Sequence, residues 1–121
     1  MAKILVVDDS SYARRVHRAM LEAAGHRVIE APTGTSAIES FSLERPDIVL
    51  LDLSMEDIGG IDVLRTIRTI DATAQVVVGS ADVQKSTAEG VMAAGACRFV
   101  PKPATAEDLL SAVSALVGDA Q

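Results

Sequence analysis

Tryptophan is absent from this 121-residue chain, which has only two Phe and one Tyr. Its core must therefore be built from Val, Ile, Leu, Ala and Met. Cysteine occurs once, as Cys97. That excludes an intramolecular disulfide and leaves no partner for a structural zinc site, so Cys97 in its apolar run reads as an inert buried thiol. No apolar run approaches the roughly 20 residues of a membrane span, and Ile4–Val7 behind Met-Ala-Lys is too short for a signal peptide. A soluble cytoplasmic protein without membrane insertion is expected. Positive charge is in deficit: 11 Lys and Arg against 17 Asp and Glu leave a formal net charge of −6. Such a chain repels phosphate backbones, so direct nucleic-acid binding is not expected.

What is present suits one packed domain: hydrophobic residues make up 49% and charged residues 23%. The domain is expected over 1–121, with its core at about 3–117. Short β-branched runs at Ile4–Val7, Val28–Ile29, Ile48–Leu51, Val76–Val78 and Phe99–Val100 predict strands covered on both faces, as in a parallel sheet. Between them lie residues at helical spacing. Ala13, Val16, Met20 and Ala23 mark a first helix ended by Gly25, and Ala37 and Phe41 a second stopped before Pro46. Ile61, Leu64 and Ile67 mark a third opened after Gly59-Gly60, and Val83, Ala88, Val91 and Met92 a fourth closed by Gly95. Leu109, Ala112, Val113 and Leu116 mark a fifth, with Thr105 as N-cap. Five βα units in succession predict an open α/β parallel sheet with helices on both faces.

Ligands of such sheets bind outside the carboxyl ends of the strands. Here the first strand ends in Asp8-Asp9, the third in Asp52, the fourth in Gly79-Ser80 and the fifth in Pro101-Lys102-Pro103. The second ends in Glu30-Ala31, without a reactive group. Taken singly, each of these residues has an ordinary reading: a turn former, a loop hydroxyl, a surface ammonium. Asp47 and Asp71 are read that way. The convergence on one edge points further. Three close carboxylates need a cation, and an all-oxygen set suits a hard ion such as Mg²⁺. A carboxylate so placed can attack phosphorus, while Lys102 and Ser80 partner the phosphoryl oxygens.

From Lys3 to about Leu116 the chain resembles a response-regulator receiver domain of two-component signalling. The likeness is carried by Ile4–Ser10, Asp47–Met55, Gly59-Gly60, Gly79–Ala81, Ala94–Ala96 and Lys102-Pro103. The resemblance implies the flavodoxin-like receiver fold, with five strands in the order 2-1-3-4-5. It implies that Asp52 is the phosphoacceptor, that Asp8, Asp9, Asp52 and the Ser54 backbone carbonyl hold Mg²⁺, and that Ser80, Ala81 and Lys102 meet the phosphoryl group. Ser80 and Phe99 match the switch pair, and Lys102-Pro103 the family's cis peptide. Ser54 and Asp82 match the two variable positions that tune hydrolysis of the acyl phosphate. Glu56 departs from the usual proline, Ala104 from a frequent aromatic, and Phe99 lacks a tyrosine's hydroxyl.

The implied partners are a histidine kinase or histidine phosphotransfer protein, and a downstream protein target at the face of the fourth helix, fifth strand and fifth helix. The implied chemistry is confined to the chain's own phosphotransfer and dephosphorylation, so it is not expected to be an enzyme for an external substrate. A stand-alone regulator is expected. The N-terminal receiver of a larger regulator with an output domain, a phosphate-independent pseudo-receiver, and a small-molecule phosphohydrolase are the alternatives. Ser54, two residues after Asp52, argues against the last. For Arg14, Arg15 and Arg18 two readings stand: a solvated helix surface, or a docking face for the kinase.

Overall fold

The structure is a computed structural model that describes residues 2–53, 58–80, 84–101 and 106–119. Five strands, β1 (Lys3–Val7), β2 (Arg27–Ala31), β3 (Ile48–Asp52), β4 (Gln75–Ser80) and β5 (Arg98–Pro101), alternate with five helices. The helices are α1 (Ser11–Ala23), α2 (Gly34–Glu44), α3 (Gly60–Ile70), α4 (Lys85–Ala93) and α5 (Ala106–Asp119). All strands are parallel, in the order β2-β1-β3-β4-β5. This is the expected doubly wound sheet.

Side chains alternate between the two faces of a strand, and both faces here are dry, which is why the strands read as unbroken apolar runs. Ile4, Val6, Ile48, Leu50 and Val77 point to one face, where Leu21 of α1 and Leu109, Ala112, Val113 and Leu116 of α5 cover them. Leu5, Val7, Val49, Leu51, Val76 and Val78 point to the other, beneath Phe41 of α2, Val63, Leu64 and Ile67 of α3, and Val91 of α4.

Local chemistry sets the helix ends. Ser10 caps α1 through its hydroxyl, which accepts from the Ala13 N–H at 3.2 Å. Thr33 and Ser36 form a reciprocal capping box at α2. Helix α2 stops as expected before Pro46, where Arg45 turns into the left-handed region at φ 48°. Gly25 and Gly95, both at positive φ, follow the ends of α1 and α4.

Two helix faces differ from expectation. In α1 the fully buried side chain is Leu21, whereas Ala13, Val16 and Met20 are half-buried and Ala23 is exposed. The stripe facing the sheet runs through His17 and Leu21, and a histidine in it conceals it from an apolar count. In α4 Val91 is buried but Met92, one residue and about 100° further round, is 45% exposed. Cys97 is half-buried against the second apolar cluster, less enclosed than its sequence neighbours suggest. Val83 and Thr105 lie outside the described residues.

Candidate acidic site at the carboxyl edge of the sheet

The chain leaves β1 for β2 on one side and reaches β3 on the other, so the strand order reverses between β1 and β3. The crevice opens at that point. Asp8 directly follows β1 and Asp52 ends β3, so both sides of the crevice present a carboxylate. One oxygen from each of Asp8, Asp9 and Asp52 lies within 4.8 Å of the others. Asp8 is 3% and Asp52 8% exposed, while Asp9 faces solvent.

Two unit charges at that separation repel by about 1 kcal/mol in water and by about 3–4 kcal/mol at an effective dielectric of about 20. Three such pairs are comparable with the whole stability of a small domain, about 5–15 kcal/mol. A cation at the cluster turns that cost into binding energy. Among the described residues the donors gathered there are all carboxylate oxygens, which fits Mg²⁺.

Asp8 is held at three points. Its N–H donates to the Ala31 carbonyl at 3.2 Å, extending the β1–β2 ladder by one residue. Its Oδ1 accepts from the Ser10 N–H at 2.9 Å, and its carbonyl accepts from Arg14 Nη1 at 2.6 Å. Beyond Asp52, Leu53 N–H donates to the Gly79 carbonyl at 3.0 Å, so pairing of β3 with β4 also runs past the acid. Gly60 explains the Gly-Gly signature that follows. A Cβ there would lie 2.7 Å from the Leu53 Cα, so α3 can begin this close to the site only without a side chain.

Ser80 ends β4, one residue beyond the register partner of Asp52, and is buried at 2% exposure. Phe99 pairs in register with Val78 and packs, half-buried, on the cluster beneath α2, α3 and α4. The described structure thus brings Asp8, Asp9 and Asp52 together and sets Ser80 on the adjoining strand. Ser54, Glu56, Ala81, Asp82, Lys102, Pro103 and Ala104 lie outside the described residues. A cavity of about 30 Å³, room for one or two waters, is walled by Val6, Leu50, Val77, Val100 and Leu109 and touches Asp8, His17 and Asp52. No motif or spacing in the sequence marks His17 for that place.

The arginines of α1 divide. Arg14 Nε donates to Glu30 Oε1 at 3.1 Å and Arg18 Nη1 to Glu30 Oε2 at 2.8 Å, with Arg18 also reaching Glu22. Arg18 foremost, with Arg14, holds the Glu30 carboxyl below its ordinary value. Arg14 is therefore committed inside the protein, whereas Arg15 and Arg18 are both exposed, Arg18 with two carboxylate partners. Asp71 is a local acceptor for Thr73, as expected of a turn former, whereas Asp47 accepts the Lys3 N–H at 2.8 Å across 44 residues and ties the start of β1 to that of β3.

Comparison with known proteins agrees with the fold. The profile of the family described as response regulator receiver domain matches residues 4–114. The chain is 35% identical over 113 residues to the chemotaxis protein CheY of Bacillus subtilis, covering 93% of this chain and 94% of that one. It is 38% identical over 117 residues to the transcriptional regulatory protein KdpE of Mycobacterium tuberculosis, covering 97% of this chain but 51% of KdpE. The structure superposes with a TM-score of 0.91 and 27% identity on a chain from the CheX–CheY–BeF₃–Mg²⁺ complex of Borrelia burgdorferi, covering 95% of this chain and 88% of that one.

Proposed function

Since this chain belongs to the response regulator receiver domain family of two-component signalling, we propose that it is a switch thrown by Mg²⁺-dependent phosphorylation of Asp52. The observation that carries this is the convergence of the Asp8, Asp9 and Asp52 oxygens within 4.8 Å at the strand-order reversal. The magnesium in the Borrelia relative's complex supports the choice of ion. Asp8, Asp9 and Asp52 would hold it, joined by the Ser54 carbonyl. Bound there, it offsets negative charge on an incoming phosphoryl group.

The phosphoryl group comes from a phosphohistidine of a histidine kinase or phosphotransfer protein. An Asp52 oxygen attacks phosphorus, the P–N bond breaks, and the imidazole departs with the electron pair. An acyl phosphate results, which water later hydrolyses. Asp52 is positioned by the last register pair of β3 and β4, and such transfer is chiefly positioning and electrostatics. Ser80 donates to a phosphoryl oxygen, and Lys102 supplies the countercharge. As Ser80 shifts, Phe99 follows, and the face of α4, β5 and α5 changes its affinity for a downstream protein. The chain turns over no external substrate and works in the cytoplasm beside its kinase. In a stand-alone arrangement it would be built like the Bacillus CheY, which it matches over 94% of that protein's length. The KdpE match, over half of that protein, supports the other arrangement, a receiver joined to an output domain.

The test is intact mass after brief incubation with acetyl phosphate and Mg²⁺, beside Asp52→Asn. One added phosphoryl group, absent in the variant and without the ion, is the expected result. No addition under any condition would overturn the reading in favour of a phosphate-independent binding module.

A further inference from the structure

The geometry points to Arg14 as a positioning residue for the acidic site: with Glu30 it clamps the Asp8–Asp9 turn in the conformation that binds the cation. This rests on the proposed reading of Asp8, Asp9 and Asp52 as the cation's ligands. Three observations meet at Arg14. Its side chain is only 15% exposed, although α1 offers it a route to solvent. Its Nη1 donates to the backbone carbonyl of Asp8 at 2.6 Å, shorter than the 2.9 and 3.2 Å bonds that hold the Asp8 carboxylate and N–H. Its Nε meets Glu30 Oε1 at 3.1 Å, so a residue of β2 fixes the orientation of the guanidinium plane. Arg18 braces Glu30 from its other oxygen at 2.8 Å.

The placement runs against simple electrostatics. A guanidinium beside a cation site repels the cation, and its removal on charge grounds alone should tighten binding. An arginine is worth keeping there for what its fork can hold. Two donors on one rigid plane tie the carbonyl of one acid-bearing turn to the neighbouring strand, which a lysine's single point charge cannot do. The Ser10 N–H and the Ala31 carbonyl fix the carboxylate and the N–H of Asp8, and Arg14 closes the remaining freedom at its carbonyl, from which Asp9 follows.

Charge and positioning predict opposite signs, which makes the inference testable. The variants are Arg14→Ala, Arg14→Lys, Glu30→Gln and, as a control losing the same charge from the exposed side of α1, Arg15→Ala. In the metal-free protein, amide hydrogen exchange and ¹⁵N chemical shifts of Asp9 and Ser10 should change in Arg14→Ala and Glu30→Gln, with those of Leu51 and Asp52 left in place. In calorimetric titration with MgCl₂, Arg14→Ala should bind about tenfold more weakly, the scale on which outer partners of metal ligands act. Arg14→Lys should recover only part of that loss, and Arg15→Ala should bind as tightly as the wild type or tighter. Unchanged Asp9 and Ser10 amides in Arg14→Ala, or Mg²⁺ binding that is equal or tighter, would overturn the clamp. A wild type that binds no Mg²⁺ would overturn the cation reading of the three acids, and the metal-free amides would still decide the clamp.

Discussion

Helices α3 and α4 cover the same face of the sheet, yet the sheet grips them differently. Helix α3 buries Val63, Leu64 and Ile67 completely and starts against the Leu53 backbone through Gly60. Helix α4 packs on β5, and among its described side chains Val91 alone is fully buried; Ala88 is half-buried and Met92 turns to solvent. Full burial of one such side chain contributes about 1.5–3 kcal/mol, so among the described side chains α3 has two more such anchors than α4. Elements with few buried contacts open at lower free energy and are the ones a switch can move. The acids are thereby flanked by a fixed wall at α3, while the element that can move at low cost stands one strand further on.

Truncation should give the largest contrast. Leu64→Ala is expected to lower global stability by about 2–5 kcal/mol, whereas Val91→Ala should cost about 2 kcal/mol or less. By native-state hydrogen exchange, Val91→Ala should speed the amides of α4 well before those of α3. Equal protection of the two helices would break the comparison. Next in size is Gly60→Ala, whose Cβ has no space 2.7 Å from the Leu53 backbone. It should cost about 1–3 kcal/mol by denaturant titration and, by displacing the chain just past Asp52, slow phosphoryl uptake from acetyl phosphate as well.

Much of this was legible in the sequence because the strands carry their own signal. β-branched runs followed by Asp8-Asp9, Asp52 and Ser80 located both the sheet and its functional edge, since a strand's end and its first loop residue are local properties. The helix faces were less legible where a polar residue sits in the buried stripe, as His17 does in α1, or where two adjacent apolar residues compete, as Val91 and Met92 do in α4. The Arg14–Glu30 pair was not legible at all. Sixteen residues separate the two. Only the β1–β2 register, Val7 opposite Ala31, brings Glu30 beside the turn that Arg14 holds. Gly60 showed itself as part of a motif, but its cause, the approach of Leu53, is tertiary.

A smaller effect of opposite sign sharpens the same comparison. Gly90 lies inside α4, and a Cβ built there meets nothing within 4 Å. Gly90→Ala should therefore stabilise α4 by about 0.5–1 kcal/mol, where the equivalent change at Gly60 destabilises α3. If α4 is the element that moves, this variant should also raise α4 protection in hydrogen exchange without altering that of α3. A uniform rise across both helices would mean that they open as one unit.

The smallest expected effect is global and serves as the control. His26 Nδ1 accepts the Ala2 N–H at 3.0 Å, tying the end of α1 to the start of β1, and partial burial lowers its pKa from the ordinary 6.5. The native state then takes up a proton less readily than the unfolded chain. The contribution is complete above about pH 6.5 and is lost as pH falls from there through the lowered folded value. Glu30 and Glu44, held below their ordinary 4.5, enter only at lower pH, so the two windows separate. Between pH 7.5 and 5.5 the denaturation midpoint should fall slightly in the wild type and less in His26→Gln. Because the contact lies at the opposite end of the sheet from the acids, α3 and α4 should lose protection by the same amount. A loss confined to α4 would place the acid-sensitive step in that helix instead.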